Sequence, residues 1–255
     1  MPSEITGTAR FVSDLHLRAE RPDLVQRFAA FLADTAAANV DSLFILGDLF
    51  EYWIGDDQLA DPFAAAIAAH LRRMADSGVA VHFLSGNRDF LIGQRFADAA
   101  RLALRHEPLR VTCCGHQALL LHGDVLCTDD VAYQAFRYKV REPAWQAAFL
   151  AMPIDERLAA VTNMRARSRE AQQHKADEIM DVNVEAVRAA VQAAGTRLLI
   201  HGHTHRPGTE RFALDDGIAE RWVLSDWTET RGDAIEIDAA GIRRLTLTIS
   251  PAAPD

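Results

Sequence analysis

The stretch Phe11-Val12-Ser13-Asp14-Leu15-His16-Leu17 begins as an apolar run and ends by placing two potential metal ligands two residues apart. On a strand, residues i and i+2 point to the same side, so Asp14 and His16 can converge where the strand gives way to a loop. A carboxylate and an imidazole suit Mn, Fe or Zn. The pair alone is a weak signal and favours an ordinary polar strand end, so its meaning depends on whether other strand ends carry matching ligands.

The first third of the chain alternates apolar strands with helices. Continuous apolar runs at 42–46 and 79–84 follow the opening strand, and apolar residues at helical spacing fill 22–38 and 62–77. Such runs are typical of strands that are covered on both faces. The order predicts a βαβαβ unit with a mostly parallel sheet, in which ligands bind at the carboxyl ends of the strands.

The remainder of the chain changes character twice. A hairpin region with the apolar run Ala118–Leu121 is followed by residues 128–194, which are almost purely helical and are broken by Pro143 and Pro153. Another buried strand at 197–200 then leads into segments that are typical of antiparallel strands with tight turns. We therefore predict an α/β fold with a helical insertion between two strands.

Composition excludes several functional classes. The hydrophobic fraction of 49% is ample for a buried core, and the formal charge of -9 argues against a dominant nucleic-acid function, although a local basic patch remains compatible. The start lacks the features of a signal peptide, and no run of about 20 apolar residues occurs. Three cysteines, with Cys113 and Cys114 adjacent, do not make a disulfide framework, so we expect a reducing cytoplasm.

Five strand ends carry oxygen or nitrogen donors that suit a metal. The seven predicted metal ligands are Asp14, His16, Asp48, Asn87, His122, His203 and His205. A single structural metal closes its shell with about four ligands, so seven donors predict two metals, with Asp48 bridging through its two oxygens. Two divalent ions about 3.5 to 4 Å apart form a clamp for phosphoryl transfer and hydrolysis. The same residue types are common in turns, but five such strand ends favour a dinuclear centre.

The strand-end motifs together resemble the complete motif set of the calcineurin-like metallophosphoesterases: Asp14-x-His16, Gly47-Asp48, Gly86-Asn87-Arg88-Asp89, His122 and Gly202-His203-Thr204-His205. Segments 49–57, 122–130 and 178–183 resemble the members of that family that cleave a diacylated UDP-glucosamine in lipid A biosynthesis. The resemblance covers nearly the whole chain. It implies a βαβ sandwich of two mixed sheets flanked by helices, in a single domain over 1–255 with residues 128–194 as a helical lid insertion.

The resemblance also implies an activity. Metal-activated water would attack the α-phosphorus of a lipid-linked UDP-sugar, giving UMP and a diacylated sugar 1-phosphate. The implied cofactors are two divalent metal ions, with Mn2+ expected. The implied setting is the cytoplasm of a Gram-negative bacterium, with a monomer bound peripherally to the cytoplasmic face of the inner membrane and with no nucleic-acid partner.

Arg88 indicates which leaving group the site favours. Many family members have a histidine here that is thought to protonate the leaving oxygen, which arginine cannot do because its pKa exceeds about 12. Arginine instead binds phosphate oxygens bidentately. We therefore expect a leaving group that departs without protonation, such as the phosphate released from a diphosphate. The predicted catalytic residues are Asp48, Asn87, Arg88 and His122.

A polar helix face within the insertion is a candidate substrate site. Ser168, Gln172 and Lys175 fall at i, i+4 and i+7, which by spacing alone favours a solvated face. The resemblance implies that they, together with Asp130, hold the glucosamine and phosphate groups, although Gln172 stands where asparagine is usual. The predicted substrate-binding residues are Asn87, Arg88, Asp130, Ser168, Gln172, Lys175 and His203.

Several further assignments stay open at this point. His201 either supports the ligands or merely packs, and Asp89, Asp124 and Asp226 either orient ligand imidazoles or serve in turns. Aromatic and aliphatic residues of the insertion either build its own core or line a slot for acyl chains. A nuclease or another metal-dependent phosphodiesterase on the same scaffold is the alternative enzyme, and a metal-free interaction scaffold is the alternative from another class.

Overall fold

Two six-stranded mixed sheets face each other in a computed structural model that describes residues 3–173 and 181–247, and side chains over 4–166 and 181–247. The strands are β1 (Ser3–Ile5), β2 (Ala9–Val12), β3 (Ser42–Leu46), β4 (Ala80–Leu84), β5 (Ala103–Arg105), β6 (Leu109–Cys113), β7 (His116–Leu120), β8 (Leu198–His201), β9 (Gly208–Leu214), β10 (Gly217–Val223), β11 (Asp233–Asp238) and β12 (Gly241–Thr246). The helices are α1 (Pro22–Ala37), α2 (Pro62–Asp76), α3 (Gln94–Ala100), α4 (Val131–Arg141), α5 (Pro143–Leu150), α6 (Ile154–Gln173) and α7 (Val184–Ala194).

The sheet that contains the opening strand has the order β12-β11-β2-β3-β4-β5. Strands β2 to β5 run parallel, while β11 pairs antiparallel with both β2 and β12. Every residue of β3 is buried, as expected for a strand that is covered on both faces. The predicted βαβαβ unit is therefore confirmed, and the mixed character comes from the chain's last hairpin.

The other sheet has the order β1-β6-β7-β8-β10-β9. The predicted hairpin is β6–β7, β8 is parallel to both β7 and β10, and β9–β10 closes the sheet with an antiparallel hairpin. Two-residue turns at 215–216 and 239–240 join the last two hairpins, as the sequence predicts. The fold class of two mixed sheets flanked by helices is confirmed.

Apolar side chains from both sheets fill the space between them. Phe11 and Phe44 stack at 5.3 Å between ring centroids, and they pack with Leu120 and Ile200 of the facing sheet. Helices α1 and α2 cover the outer face of the β2–β3–β4 sheet. This close-packed layer holds the two sheets together, and with them the edge at which β2, β3, β4, β7 and β8 end.

The helical region between β7 and β8 divides into two parts. Pro143 is the first residue of α5 and Pro153 directly precedes α6, so both prolines start helices, where a missing N–H costs nothing. Helix α7 packs Val187 and Val191 against Leu199 on the outer face of the second sheet. It is therefore a crossover helix that covers the second sheet. The other described helices of 128–194 are α4, α5 and α6.

Within residues 3–173 and 181–247, no helix is both long and apolar enough to cross a membrane.

Helix α2 begins with a cap whose loss is measurable. The Asp61 carboxylate accepts a hydrogen bond from the Phe63 backbone N–H at 2.9 Å. We expect Asp61→Ala to lower the free energy of unfolding in urea by about 1 kcal/mol, because an N–H of the first turn loses its partner. Asp61→Asn, which keeps an accepting oxygen, is the control, and an equal loss in both variants would contradict the capping role.

Candidate metal centre

The backbone turns sharply where the ligand-bearing strands end. Five of the seven predicted ligands have positive φ angles: Asp14 (55°), His16 (47°), Asp48 (54°), His203 (68°) and His205 (56°). Residues other than glycine rarely adopt this left-handed conformation, and such strain concentrates at functional sites. These turns direct side chains from separate strand ends toward a common point.

Asp14, His16 and His205 form one cluster. Their facing atoms lie close, with 3.3 Å between the Nε2 atoms of His16 and His205 and 3.3 Å from Asp14 Oδ1 to His205 Nε2. Asp14 Oδ1 is buried and has no hydrogen-bond partner among the described residues. A buried carboxylate oxygen that lacks a partner and faces two imidazole nitrogens fits a divalent metal ion.

Asn87, His122 and His203 form a second cluster. Asn87 Oδ1 lies 2.9 Å from His122 Nε2 and 3.0 Å from His203 Nδ1. Asp48 lies between the two clusters, with Oδ1 3.7 Å from His122 Nε2 and Oδ2 4.0 Å from His16 Nε2. Each Asp48 oxygen therefore faces one cluster, which is the arrangement that a bridging carboxylate requires.

Two glycines in the motifs leave room for the carboxylates. A Cβ at Gly86 would come 2.1 Å from Asp48 Oδ1, and a Cβ at Gly202 would come 2.2 Å from Asp14 Oδ2. Contacts this short between a Cβ and a carboxylate oxygen do not occur in real structures. Both positions therefore require glycine, which lets the backbone approach the carboxylate. The glycines are thus part of the site even though they carry no donor.

Backbone contacts fix the ligand orientations. The His203 N–H donates to Asp14 Oδ2 at 2.8 Å, and the Arg88 N–H donates to Asp48 Oδ1 at 2.9 Å. His122 Nδ1 lies 2.8 Å from the Leu46 carbonyl oxygen. Since only a protonated Nδ1 can donate to that carbonyl, Nε2 is left to face the Asn87 amide oxygen and any metal.

Two acids lie behind ligand imidazoles. Asp226 Oδ2 is 3.7 Å from His205 Nδ1, so Asp226 is placed to orient that ring, one of the two roles considered for it. Glu51 Oε2 is 3.9 Å from His16 Nδ1 and also pairs with Arg18. Sequence reasoning missed Glu51, although an acid three residues after Asp48 was an available signal.

Asp89 and Asp124 do not orient imidazoles by hydrogen bonds in the described part of the chain. Asp89 accepts backbone N–H groups from Leu49 at 2.7 Å and Gly86 at 2.8 Å, so it ties two ligand loops together. Asp124 accepts from the Tyr133 hydroxyl at 2.7 Å instead. Of the two roles left open for these acids, the contacts agree with the loop role, and strand-end spacing does not reveal which partners they take.

His201 is fully buried. Its Nδ1 lies 2.8 Å from the Gly202 carbonyl oxygen, and its Nε2 has no hydrogen-bond partner among the described residues. Burial lowers the pKa of His201 to about 4, so the ring is neutral. These features agree with the packing role.

Burial and charge set the protonation of the clusters without metal. Burial lowers the pKa of His16 and of His203 to about 3, so both are neutral and can bind metal. Burial alone would raise the pKa of Asp14, but the adjacent His205 imidazole and the imidazoles of His122 and His16 hold that pKa well below its usual range. Burial raises the pKa of Asp48 to about 7. Burial would lower the pKa of His122, but Asp48 and Asp14 raise it to about 9.

The predicted substrate residues are placed unevenly. Arg88 follows Asn87 in the same loop, and its buried Nε has no hydrogen-bond partner among the described residues. Asp130 caps α4 by accepting from the Tyr133 N–H at 3.0 Å. Ser168 and Gln172 lie on α6 with side chains outside the described set, and Lys175 lies outside the described residues.

Comparisons with known proteins agree with this geometry. The family model described as calcineurin-like phosphoesterase matches residues 9–207. The chain is 48% identical over 86% of its length to a UDP-2,3-diacylglucosamine hydrolase of Aromatoleum aromaticum, covering 89% of that protein. It is 46% identical to the protein of that name from Serratia proteamaculans, covering 92% of this chain and 97% of that one. A third, from Chromohalobacter salexigens, is 45% identical over 93% of this chain and 96% of its own length.

Metal binding should release protons. At neutral pH and without metal, His122 is protonated because its pKa is raised to about 9. Asp48 is partly protonated because its pKa is raised to about 7. A metal must displace these protons, so the affinity for Mn2+ should rise roughly tenfold per pH unit for each proton displaced, and level off above the raised pKa of His122.

Isothermal titration calorimetry at several pH values, in two buffers of different protonation enthalpy, measures both the affinity and the protons released. Equal heats in the two buffers at neutral pH would contradict this protonation state.

Proposed function

Because the chain belongs to the calcineurin-like phosphoesterase family, we propose that it hydrolyses UDP-2,3-diacylglucosamine, the activity named for its relatives. The bond cleaved is the diphosphate, and the products are UMP and 2,3-diacylglucosamine 1-phosphate (lipid X), in lipid A biosynthesis. The observation that carries the proposal is the pair of donor clusters joined by Asp48, with Arg88 beside them. This arrangement suits the hydrolysis of a phosphoanhydride.

The two clusters divide the predicted ligands between two metals. Asp14, His16 and His205 would hold one ion, and Asn87, His122 and His203 would hold the other, with Asp48 shared. Two divalent ions held in this way would supply an activated water and neutralise charge on the phosphate. We propose Mn2+ for both, since mixed oxygen and nitrogen donors suit it.

The charge of the site favours an anionic substrate in an acidic protein. The formal net charge of the chain is -9, yet only Asp14 and Asp48 contribute carboxylates to the predicted ligand set. Two divalent cations outweigh them, and the ligand imidazoles and amide stay neutral. A diphosphate is therefore attracted to the site in spite of the protein's overall charge.

Arg88 selects the leaving group. Its backbone N–H donates a hydrogen bond to Asp48. Its buried Nε has no hydrogen-bond partner among the described residues and so can donate to a phosphate oxygen. A guanidinium stays charged at every accessible pH, so it stabilises departing negative charge and cannot deliver a proton. A sugar 1-phosphate leaves from the α-phosphorus without protonation, whereas an alkoxide does not.

Helices α4, α5 and α6 are proposed as the lid over the site, within a single domain. Trp145 and Phe149 stack at 5.0 Å and pack against the main core, not in a separate core of the lid. Phe136, Tyr138 and Leu150 stay exposed to 41%, 74% and 43%. We propose that these exposed apolar side chains line a slot for two acyl chains. Each acyl methylene buried there would contribute roughly 0.8 kcal/mol to the binding free energy.

The lid also carries the proposed polar contacts and the membrane contact. Asp130, Ser168, Gln172 and Lys175 would hold the glucosamine and phosphate groups. Among the basic residues of the region, Lys139 is exposed and suits an anionic surface, whereas Arg137, Arg141 and Arg165 pair with acids of the protein. We propose a monomer bound peripherally at the cytoplasmic face of the inner membrane, where the lipid-linked substrate lies.

The direct test is release of UMP from UDP-2,3-diacylglucosamine by the purified protein with Mn2+. We expect release to stop with chelator and to return when Mn2+ is added back, because the donor clusters need their metals. A small chromogenic phosphodiester serves as the comparison substrate. Turnover of that ester without UMP release under any metal condition would favour another phosphodiesterase activity.

Arg88→Ala should lower kcat for UMP release by roughly 100- to 1,000-fold, the range for losing one preorganised donor to developing charge. Metal content measured by elemental analysis should be unchanged, since Arg88 contacts Asp48 through its backbone N–H. Arg110→Ala, which removes an exposed arginine from β6, is the matched control. Loss of metal in Arg88→Ala would show that the side chain supports the ligands instead.

A further inference from the structure

One face of helix α4 contacts the loops that carry the second cluster. Tyr133, Arg137 and Arg141 are spaced four residues apart, so their side chains project from the same side of the helix. Tyr133 stacks on the His203 ring at 6.0 Å, with an angle of 27° between the planes. Its hydroxyl donates to Asp124 at 2.7 Å. The helix therefore begins against one ligand of the second cluster.

Arg137 connects two carboxylates that lie on either side of His122. Its Nε donates to Asp124 Oδ2 at 2.9 Å, and its Nη2 donates to Glu107 Oε1 at 2.5 Å. The other oxygen of Glu107 accepts the backbone N–H of His122 at 3.0 Å. Asp124 follows His122 by two residues in the chain. Arg137 thus holds the His122 segment from both directions.

Arg141 makes the corresponding contact with the Asn87 loop. Its Nη2 donates to the Gly86 carbonyl oxygen at 3.0 Å, and its guanidinium lies over the Phe90 ring at 5.5 Å. Helix α4 therefore touches segments that carry Asn87, His122 and His203. Within the described part of the chain, these three α4 side chains make no contact with the first cluster of Asp14, His16 and His205.

The Arg137 bridge is largely shielded from water. The Asp124 side chain is 0% exposed, Glu107 is 10% exposed and Arg137 is 17% exposed. Charge-assisted hydrogen bonds are strong in such surroundings, and a carboxylate that loses its partner there must move or take up a proton. Removing Arg137 would therefore displace the groups that hold the His122 backbone.

We propose that Arg137 is a positioning residue that sets the affinity of the second metal subsite, formed by Asp48, Asn87, His122 and His203. It acts through Glu107 and Asp124 and touches neither metal nor substrate. The first subsite is held independently of it. This inference rests on the dinuclear centre of the proposed function, and it makes the docking of α4 and the loading of the second metal one event.

Two physical effects predict opposite results when Arg137 is removed. Coulomb's law alone predicts tighter metal binding, because a positive charge near a site for divalent cations is lost. Loss of positioning predicts weaker binding, because groups that orient ligands typically contribute 10- to 100-fold to metal affinity. The sign of the change therefore separates the two effects.

The experiment is a Mn2+ titration of the full chain, followed by the electron paramagnetic resonance signal of free Mn2+ and by calorimetry. We expect wild type to bind two Mn2+, and Arg137→Met to bind the first normally and the second about 10- to 100-fold more weakly. Lys139→Met removes one positive charge from the exposed side of the same helix and should bind both as wild type does. The affinity of Arg137→Lys for the second Mn2+ should lie between those of Arg137→Met and wild type.

A second variant tests the route and guards against misfolding of the first. Glu107→Gln weakens the same bridge from outside the helix, so it should weaken the second Mn2+ selectively. In the double variant with Arg137→Met the losses should be non-additive, since both act through one connection. Thermal unfolding of each variant identifies a purely structural effect, in which stability falls while both Mn2+ affinities are unchanged.

Several outcomes overturn the inference: unchanged binding of both Mn2+ in Arg137→Met, tighter binding, equal weakening of the two, or additive losses with Glu107→Gln. Wild type binding fewer than two Mn2+ removes the dinuclear centre and the inference together. If wild type binds two Mn2+ and Arg137→Met weakens only the second, the inference stands even when no UMP is released. Two bound Mn2+ without any release of UMP would overturn the proposed substrate and leave the inference about Arg137 intact.

Discussion

The burial of Asp14 and Asp48 at one edge of two sheets is the constraint on which the rest of the structure depends. Both carboxylates are almost fully withdrawn from water, and a buried charge is costly unless it is paired. The protein surrounds them with backbone N–H groups and imidazoles, yet one Asp14 oxygen stays without a hydrogen bond among the described residues. A divalent cation held by Asp14, His16 and His205 would satisfy that oxygen and balance the charge, so folding and metal binding favour the same geometry.

The arrangement has a cost in the backbone, which the surrounding fold offsets. Five ligand positions adopt left-handed turns, and glycines at 86 and 202 let the chain approach the carboxylates. Strain of this kind persists only when the surrounding structure holds it in place. Here the apolar layer between the sheets fixes the strand ends, and Asp89 links the loops after β3 and β4. The rigid scaffold therefore positions donors that loops alone would not hold.

The two sides of the metal centre are connected to the helical region by different contacts. On the side of the first cluster, Glu51 lies behind His16 and pairs with Arg165 of α6. On the side of the second, Arg137 of α4 binds Asp124 in the loop after β7 and Glu107 in the loop after β5, and Arg141 binds the loop after β4. The proposed lid is thus attached to both halves of the site through charged side chains. In the proposed mechanism, the position of the lid and the geometry of the metal centre are therefore linked, and Arg88 determines which leaving group the centre can expel.

The sequence by itself determined the order of the parallel strands, the donors at their ends and the family, which the comparisons confirm. These features follow from local rules: apolar periodicity identifies the strands, and parallel connections bring their carboxyl ends to one edge. The tertiary structure alone decided the partners of Asp89 and Asp124, the position of Glu51, and the packing of α7 on a sheet outside the lid. It also decided that Arg137 meets Glu107, 30 residues away in the chain. Such contacts depend on how separate elements pack and on how far their side chains reach. Neither hydrophobic periodicity nor motif spacing encodes this packing.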